Sequence, residues 1–137
     1  MGGIPQGHSK PVDPIGTFKP LVQRDRLPNP VIIQSLELYE RDDNWFIRAR
    51  SKDGAEGWSV GHPKKMELSQ HVFTKVIAPY MRGKDARDLD RLVDGVFLSG
   101  NNYKMQGQLF WVPLAAAEFA ILDLLGKVAK RSAADLL

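Results

Sequence analysis

From Val31 onward the hydrophobic positions change period once, from two to about 3.6. Val31 to Glu40 is rich in Val, Ile, Leu and Tyr and predicts a strand. Arg41-Asp42-Asp43-Asn44 supplies a turn. Trp45 to Ser51 alternates, with Trp45, Ile47 and Ala49 on one side and Phe46, Arg48 and Arg50 on the other. That alternation predicts a strand with one buried face. Lys52-Asp53-Gly54 follows, and Asp-Gly marks a hairpin because its turn needs positive φ. Ala55 to Val60 is the returning strand, which completes a three-stranded meander.

After Gly61-His62-Pro63 the spacing becomes helical. Leu68, Val72, Phe73, Val76, Ile77 and Tyr80 share one face, and Gly83 ends the segment. Asp88 is placed to cap a second helix with Leu89, Leu92, Val93, Val96 and Phe97 inward. Ser99 to Gly107 reads as a polar loop. A third helix is expected from about Pro113 to Lys130, with Pro113 in its first turn, where a missing N–H costs nothing. Trp111, Phe119 and Leu122 are assigned to the core. Ser132 can cap a last short helix, Ala133 to Leu137. Strands first and helices after define an α+β class: a three-stranded antiparallel meander, a bundle of three helices and a short C-terminal helix.

Residues 1–30 read differently. Gly2, Gly3, Pro5, Gly7, Pro11, Pro14, Gly16, Pro20, Pro28 and Pro30 exclude a long helix or central strand. This is an extended, partly flexible arm, and residues 31–137 are the folded domain.

Composition narrows the function. A chain of 137 residues is about one domain. A net charge of +3, with Lys and Arg scattered, does not suit nucleic acid. The densest basic cluster, Lys127, Lys130 and Arg131, closes a helix, where cations complement the dipole. The absence of cysteine excludes disulfides, thiolate nucleophiles and zinc–sulfur sites. The longest apolar stretch, Trp111 to Leu125, is interrupted by Glu118 and Asp123, so no membrane span is expected. The N-terminus has no apolar signal core, and a cytoplasmic location is expected.

Few residues suggest chemistry. Gly57-Trp58-Ser59-Val60-Gly61 matches the Gly-x-Ser-x-Gly pattern of serine hydrolases. His62-Pro63-Lys64-Lys65 follows it, so no helix starts at the serine, and the pattern reads better as the end of a strand. Asp85, Asp88, Asp90 and Asp94 lack the spacing of a calcium loop. His62, Lys64 and Lys65 form a basic loop after a strand that could receive a carboxylate. Tyr103 and Lys104 have a similar standing in their own loop. No catalytic residue and no metal ligand is assigned.

Three segments, in order and at suitable spacing, resemble one family. Ser51-Lys52-Asp53-Gly54-Ala55-Glu56-Gly57-Trp58 looks like a strand pair around a D-G-x-x-G turn. Ile77-Ala78-Pro79-Tyr80-Met81-Arg82-Gly83-Lys84-Asp85 is similar to an "L-x-P-x-x-x-G-x-D" helix end. Glu118 to Lys127 resembles "D-x-A-x-W-D-x-x-G-K". These are features of the N-terminal capping domain of the enolase superfamily, in its mandelate racemase/muconate lactonizing enzyme branch. The resemblance covers about Val31 to Leu137. Glu118 stands where the family has Asp, Leu122 where it often has Trp, and Lys130 and Ser132 where it has Gly and Pro. Only Arg41 to Asn44 join the first two strands, where many relatives carry a long lid loop, so the arm from Phe18 to Asn29 is the candidate for closing the site.

The resemblance implies the following. Chemistry resides on a (β/α)8 barrel, absent from this sequence, where a Lys or His removes a proton beside a carboxylate and Mg2+ stabilises the resulting charge. The parent enzyme would be a lyase or isomerase, a dehydratase or racemase/epimerase acting on a sugar acid or other α-hydroxy carboxylate. This chain would be its non-catalytic lid, with His62, Lys64, Lys65, Tyr103 and Lys104 facing the small carboxylate substrate. Its partner would be the barrel of the same polypeptide, and the whole a homo-oligomer. An apolar face on the third helix and the tail would dock that barrel. The alternative is a free-standing binding or dimerisation domain that has lost the barrel.

Overall fold

The computed structural model describes residues 20–137. Strands β1 (Ile33–Arg41), β2 (Asn44–Ser51) and β3 (Glu56–Gly61) form one antiparallel sheet in the order β1-β2-β3. The pairing Arg41↔Asn44 closes the first hairpin over Asp42 and Asp43, both at positive φ. That is the geometry of a two-residue turn matched to strand twist.

The alternation expected of β2 is present. Trp45, Ile47, Ala49 and Ser51 are buried, whereas Phe46, Arg48 and Arg50 are half-buried on the other face. On that outer face Arg48 bonds Glu37 at 2.5 Å and the Tyr39 hydroxyl at 2.7 Å, flanked by the Tyr39 and Trp58 rings. The inner face carries the helices. Helix α1 (Pro63–Val72) runs through a π turn, Phe73–Ile77, into the short α2 (Ala78–Met81). The single helix expected there is thus interrupted. Pro79 lacks an N–H and its ring excludes the carbonyl four residues back, and the wider turn accommodates both.

Helix α3 (Leu89–Leu98) packs against α4 (Gln108–Ala129), the long central helix. Asp88 precedes α3 without capping it and instead pairs with Arg24. Asp85 is the side-chain cap of this region, accepting from the Arg87 N–H at 3.0 Å. The expected polar loop is partly a 3-10 segment, Ser99–Lys104, kinked at Gly100 and Asn101.

Helix α4 begins five residues before the expected start, so Pro113 sits inside it rather than in its first turn. The lost bond leaves only the Leu109 carbonyl without a helical donor, and Leu109 is exposed to water. By length and composition α4 could cross a membrane, yet 61% of its most apolar window is buried, which makes it a core helix. Leu122 is in the core as expected. Trp111 is 43% exposed and Phe119 62% exposed, contrary to their core assignment: Phe97 of α3 covers only one face of the Trp111 ring, and Phe119 faces outward. The chain ends in a 3-10 turn, Ala133–Leu136, capped by Ser132 as expected.

The arm is described from Pro20. Val22 and Leu27 are buried in the common core. Gln23 N–H donates to the Leu136 carbonyl, and Arg87 Nη1 donates to the Leu27 carbonyl at 3.0 Å. Residues 1–19 lie outside the described part.

Candidate functional site

The sheet register defines two ends of the domain. Trp45↔Gly61 places the Asp42–Asp43 turn beside His62. Arg50↔Glu56 places the Asp53–Gly54 turn at the other end. Helix α4 lies along β3, with Ala116 beside Ser59 and Leu124 beside Gly57. Its N-terminus therefore reaches the His62 end.

At that end, His62 is not a loop ligand in waiting. It is the N-cap of α1, its Nδ1 accepting from the Lys65 N–H at 3.3 Å. Lys64 and Lys65 occupy the first turn of α1 rather than a loop. Two cations there oppose the positive end of the helix dipole, and an anion between them would relieve both. Lys65 and Leu68 of α1 line one wall of a cleft of about 400 Å³. Gln106, Gln108 and Leu109, at the start of α4, line the other.

Tyr103 and Lys104 are exposed and lie outside that lining. Tyr103 packs edge-on to Phe97, which stacks on Trp111 at 5.1 Å. The structure thus brings Lys65 to a cleft and sends Tyr103 to an aromatic cluster. The cleft's amides, Gln106 and Gln108, escaped the sequence reading. Neutral polar residues beside a glycine carry no chemical signal until α1 is placed opposite them.

A second hollow, about 450 Å³, lies at the opposite end, lined by Arg26 to Val31, Ser51, Asp53, Ala55 and Val128. The end of the arm, Arg26 to Pro30, is there. Pro20 to Asn29 do not line the His62 cleft, where the arm was expected to close the site; Phe18 and Lys19 lie outside the described residues.

The acidic residues of the sequence motifs have structural partners. Asp85 accepts from the Val31 N–H at 3.1 Å and is forked by Arg87 at 2.8 Å. Burial pushes its carboxyl up, but Arg87 and the two backbone donors outweigh burial and hold it low. Asp123 accepts from the Trp58 N–H at 2.8 Å and pairs with Lys127 at 2.9 Å. There too burial raises, and Lys127 with the Trp58 N–H lowers by more. Ser59 donates to the Ala116 carbonyl at 2.6 Å. It sits within β3 with no strand-to-helix elbow, so the hydrolase pattern has no site behind it.

The carboxylates of the sequence motifs are not arranged for Mg2+. Asp85, Asp88, Asp123 and Glu37 are each engaged by Arg or Lys. No group of three His, Cys, Asp or Glu is gathered among the described residues.

This sheet and helix arrangement has solved counterparts. The chain is similar over 71% of its length to a proposed racemase from Roseobacter denitrificans, at 31% identity and TM-score 0.63, covering 26% of that chain. It is similar over 73% to a mandelate racemase/muconate lactonizing protein from Paracoccus denitrificans complexed with magnesium, at 26% identity and TM-score 0.57, covering 27% of that chain. A muconate cycloisomerase from Azorhizobium caulinodans shares the fold at TM-score 0.61 and 20% identity, over 78% of this chain and 30% of that one. No protein-family model matches the chain, and no curated protein matches it. The fold is that of the enolase-superfamily N-terminal domain, α+β. The chain spans about a quarter of the length of the first two relatives named here.

Proposed function

We propose that this chain is the non-catalytic capping domain of a Mg2+-dependent enzyme of the mandelate racemase/muconate lactonizing type. The observation that carries the reading is the 31% identity to a proposed racemase of which the chain covers 26%. In this reading a (β/α)8 barrel of the same polypeptide supplies the base and holds Mg2+, and the metal supplies stabilisation of developing negative charge. The reaction class is racemisation, epimerisation or dehydration of an α-hydroxy carboxylate such as a sugar acid.

The cap's own residues bind and exclude. The His62 to Lys65 corner offers Lys64 and Lys65 to the substrate carboxylate, with the helix dipole of α1 behind them. Gln106 and Gln108 face hydroxyl groups across the cleft. Tyr103 and Lys104 stand further out on the same loop. Closing these groups over the barrel mouth would displace water and select among carboxylates.

The test uses the native gene product from its own cell. Its intact mass is measured, and exchange of the substrate α-proton is followed in deuterated water with Mg2+ and a panel of α-hydroxy acids. The expected mass is that of about 350–400 residues, a barrel being about 250. The long product should exchange, and the 137-residue chain alone should not. Exchange by the isolated chain, or a native product near 15.3 kDa, overturns the proposal. The second result would favour a free-standing binding domain.

A further inference from the structure

The hollow at the Asp53–Gly54 end of the sheet has walls that the chain holds in place. One is Leu27-Pro28-Asn29-Pro30, where two prolines fix the backbone. Arg87 anchors it, its Nη1 donating to the Leu27 carbonyl at 3.0 Å and to the Pro28 carbonyl at 3.3 Å. The facing wall is the β2–β3 hairpin. There Ser51 accepts the Ala55 N–H on its Oγ at 3.1 Å and the Gly54 N–H on its carbonyl at 3.0 Å. Val128, near the end of α4, supplies an apolar third side. At about 450 Å³ the hollow has the size of a small-molecule site.

Three polar side chains in this lining are incompletely paired. Arg26 Nε is shut off from water and has no hydrogen-bond partner among the described residues. Burying such a donor unpaired is unfavourable. Ser51 is 2% exposed, and its hydroxyl accepts from Ala55 but donates to no group among the described residues. Asp53 brings a carboxylate to the same hollow, and it forms no ion pair with Arg26. A cation, a buried hydroxyl donor and a separate anion thus share one space with apolar sides.

A carboxylate on a ligand would satisfy Arg26 and Ser51, which both have donors to give. A carboxylate alone would also meet repulsion from Asp53. An ammonium group on the same molecule turns that repulsion into attraction. The remaining walls, Pro28, Pro30 and Val128, favour an aliphatic group.

We propose that this hollow binds a free aliphatic α-amino acid. Its carboxylate sits on Arg26 and Ser51, its ammonium on Asp53, and its side chain against Pro28, Pro30 and Val128. The inference does not rest on the capping-domain reading.

Titration calorimetry of the native-length product tests it. The probes are leucine, isocaproate, which lacks the ammonium, and isopentylamine, which lacks the carboxylate. Leucine should bind, and each of the other two about tenfold more weakly or worse. Arg26→Gln should weaken leucine about tenfold, and so should Asp53→Asn, in which Asn-Gly keeps the turn chemistry. Asp53→Asn should strengthen isocaproate, a sign that mere damage to the hollow would not give. Without ligand, Arg26→Gln should raise the melting temperature, because it removes a buried cation that has no partner. No heat of binding from leucine up to about 10 mM overturns the proposal. So does leucine binding that neither variant changes, since the ligand then lies elsewhere. Equal weakening of leucine and isocaproate by Asp53→Asn overturns it as well, and so does a lower melting temperature in Arg26→Gln, which would mean that Arg26 already has its partner.

Discussion

The Asp123 carboxylate accepts the backbone N–H of Trp58 at 2.8 Å, tying the middle of α4 to the outer edge of β3. Strand β3 has β2 on one side only, so this N–H has no strand partner. The carboxylate supplies an acceptor, Lys127 holds it in place, and the edge is closed against pairing with another chain. The aspartate of the Glu118 to Lys127 motif is therefore a clamp.

Asp123→Asn should destabilise the domain by about 1 kcal/mol, since the bond is charge-assisted but partly solvated. The sign with pH follows from the depressed carboxyl. Its contribution is present above the ordinary aspartate range and is lost as pH falls below about 4. Urea titrations at pH 7 and pH 3 should show the variant's deficit at pH 7 and a smaller one at pH 3.

Gly57→Ala should be far more damaging. A β-carbon there would overlap the backbone of Ala120 and Leu124, neither of which can swing aside as a side chain can. A loss of about 3 kcal/mol or more is expected, or failure to fold. Thermal unfolding of the variant checks this, and a melting temperature near that of the parent would refute the close approach of β3 to α4.

Glu118→Gln should stabilise the isolated chain at pH 7. Burial raises this carboxyl, so its ionised form costs stability, and that cost grows as pH rises through the elevated value. Below the ordinary glutamate range the residue is protonated in both folded and unfolded chains, and the advantage of Gln should vanish. Melting temperatures between pH 4 and pH 8 provide the check.

Lys65→Gln in the native-length enzyme should raise KM for the carboxylate substrate about tenfold with a smaller effect on kcat, as expected for loss of one ionic contact. The cap bond from its N–H to His62 is made by the backbone and survives the substitution. Steady-state kinetics decide, and an unchanged KM would remove Lys65 from the site.

Ser59→Ala should cost about 1 kcal/mol of stability through its bond to Ala116 and leave turnover unchanged. Denaturation and activity measured on one preparation separate the two effects.

Much of the fold is legible because it depends on near neighbours in the chain. The alternation Trp45, Ile47, Ala49 commits β2 to one inward face, and Asp53-Gly54 commits the hairpin that follows. The helical spacing of Leu89, Leu92 and Val96 places α3 correctly. Helix α4 was harder, because Pro113 reads locally as a start. Only the packing of Phe110 in the core reveals that the helix begins earlier.

The candidate site was half legible. Lys65 stands out by charge, and its position after β3 follows from the pattern. Gln106 and Gln108 do not stand out, because their cleft exists only where α1 comes to lie against the start of α4. The expected role of the arm over the site failed for a related reason. Apolar anchors such as Val22 and Leu27 announce that a segment will be buried, and they carry no record of which end of the domain buries it.

By itself, then, the sequence determined the α+β order, the meander and its turns, and the motifs that place the chain among enolase-superfamily N-terminal domains. Periodicity and turn chemistry act over a few residues, and a few residues are enough to specify them. The tertiary structure alone decided that Asp85 and Asp123 are clamps, that Phe119 faces outward and that Lys65 and Gln106 line one cleft. Those outcomes depend on which distant surfaces cover which side chains, and burial and hydrogen-bond partnership are properties of the packed whole.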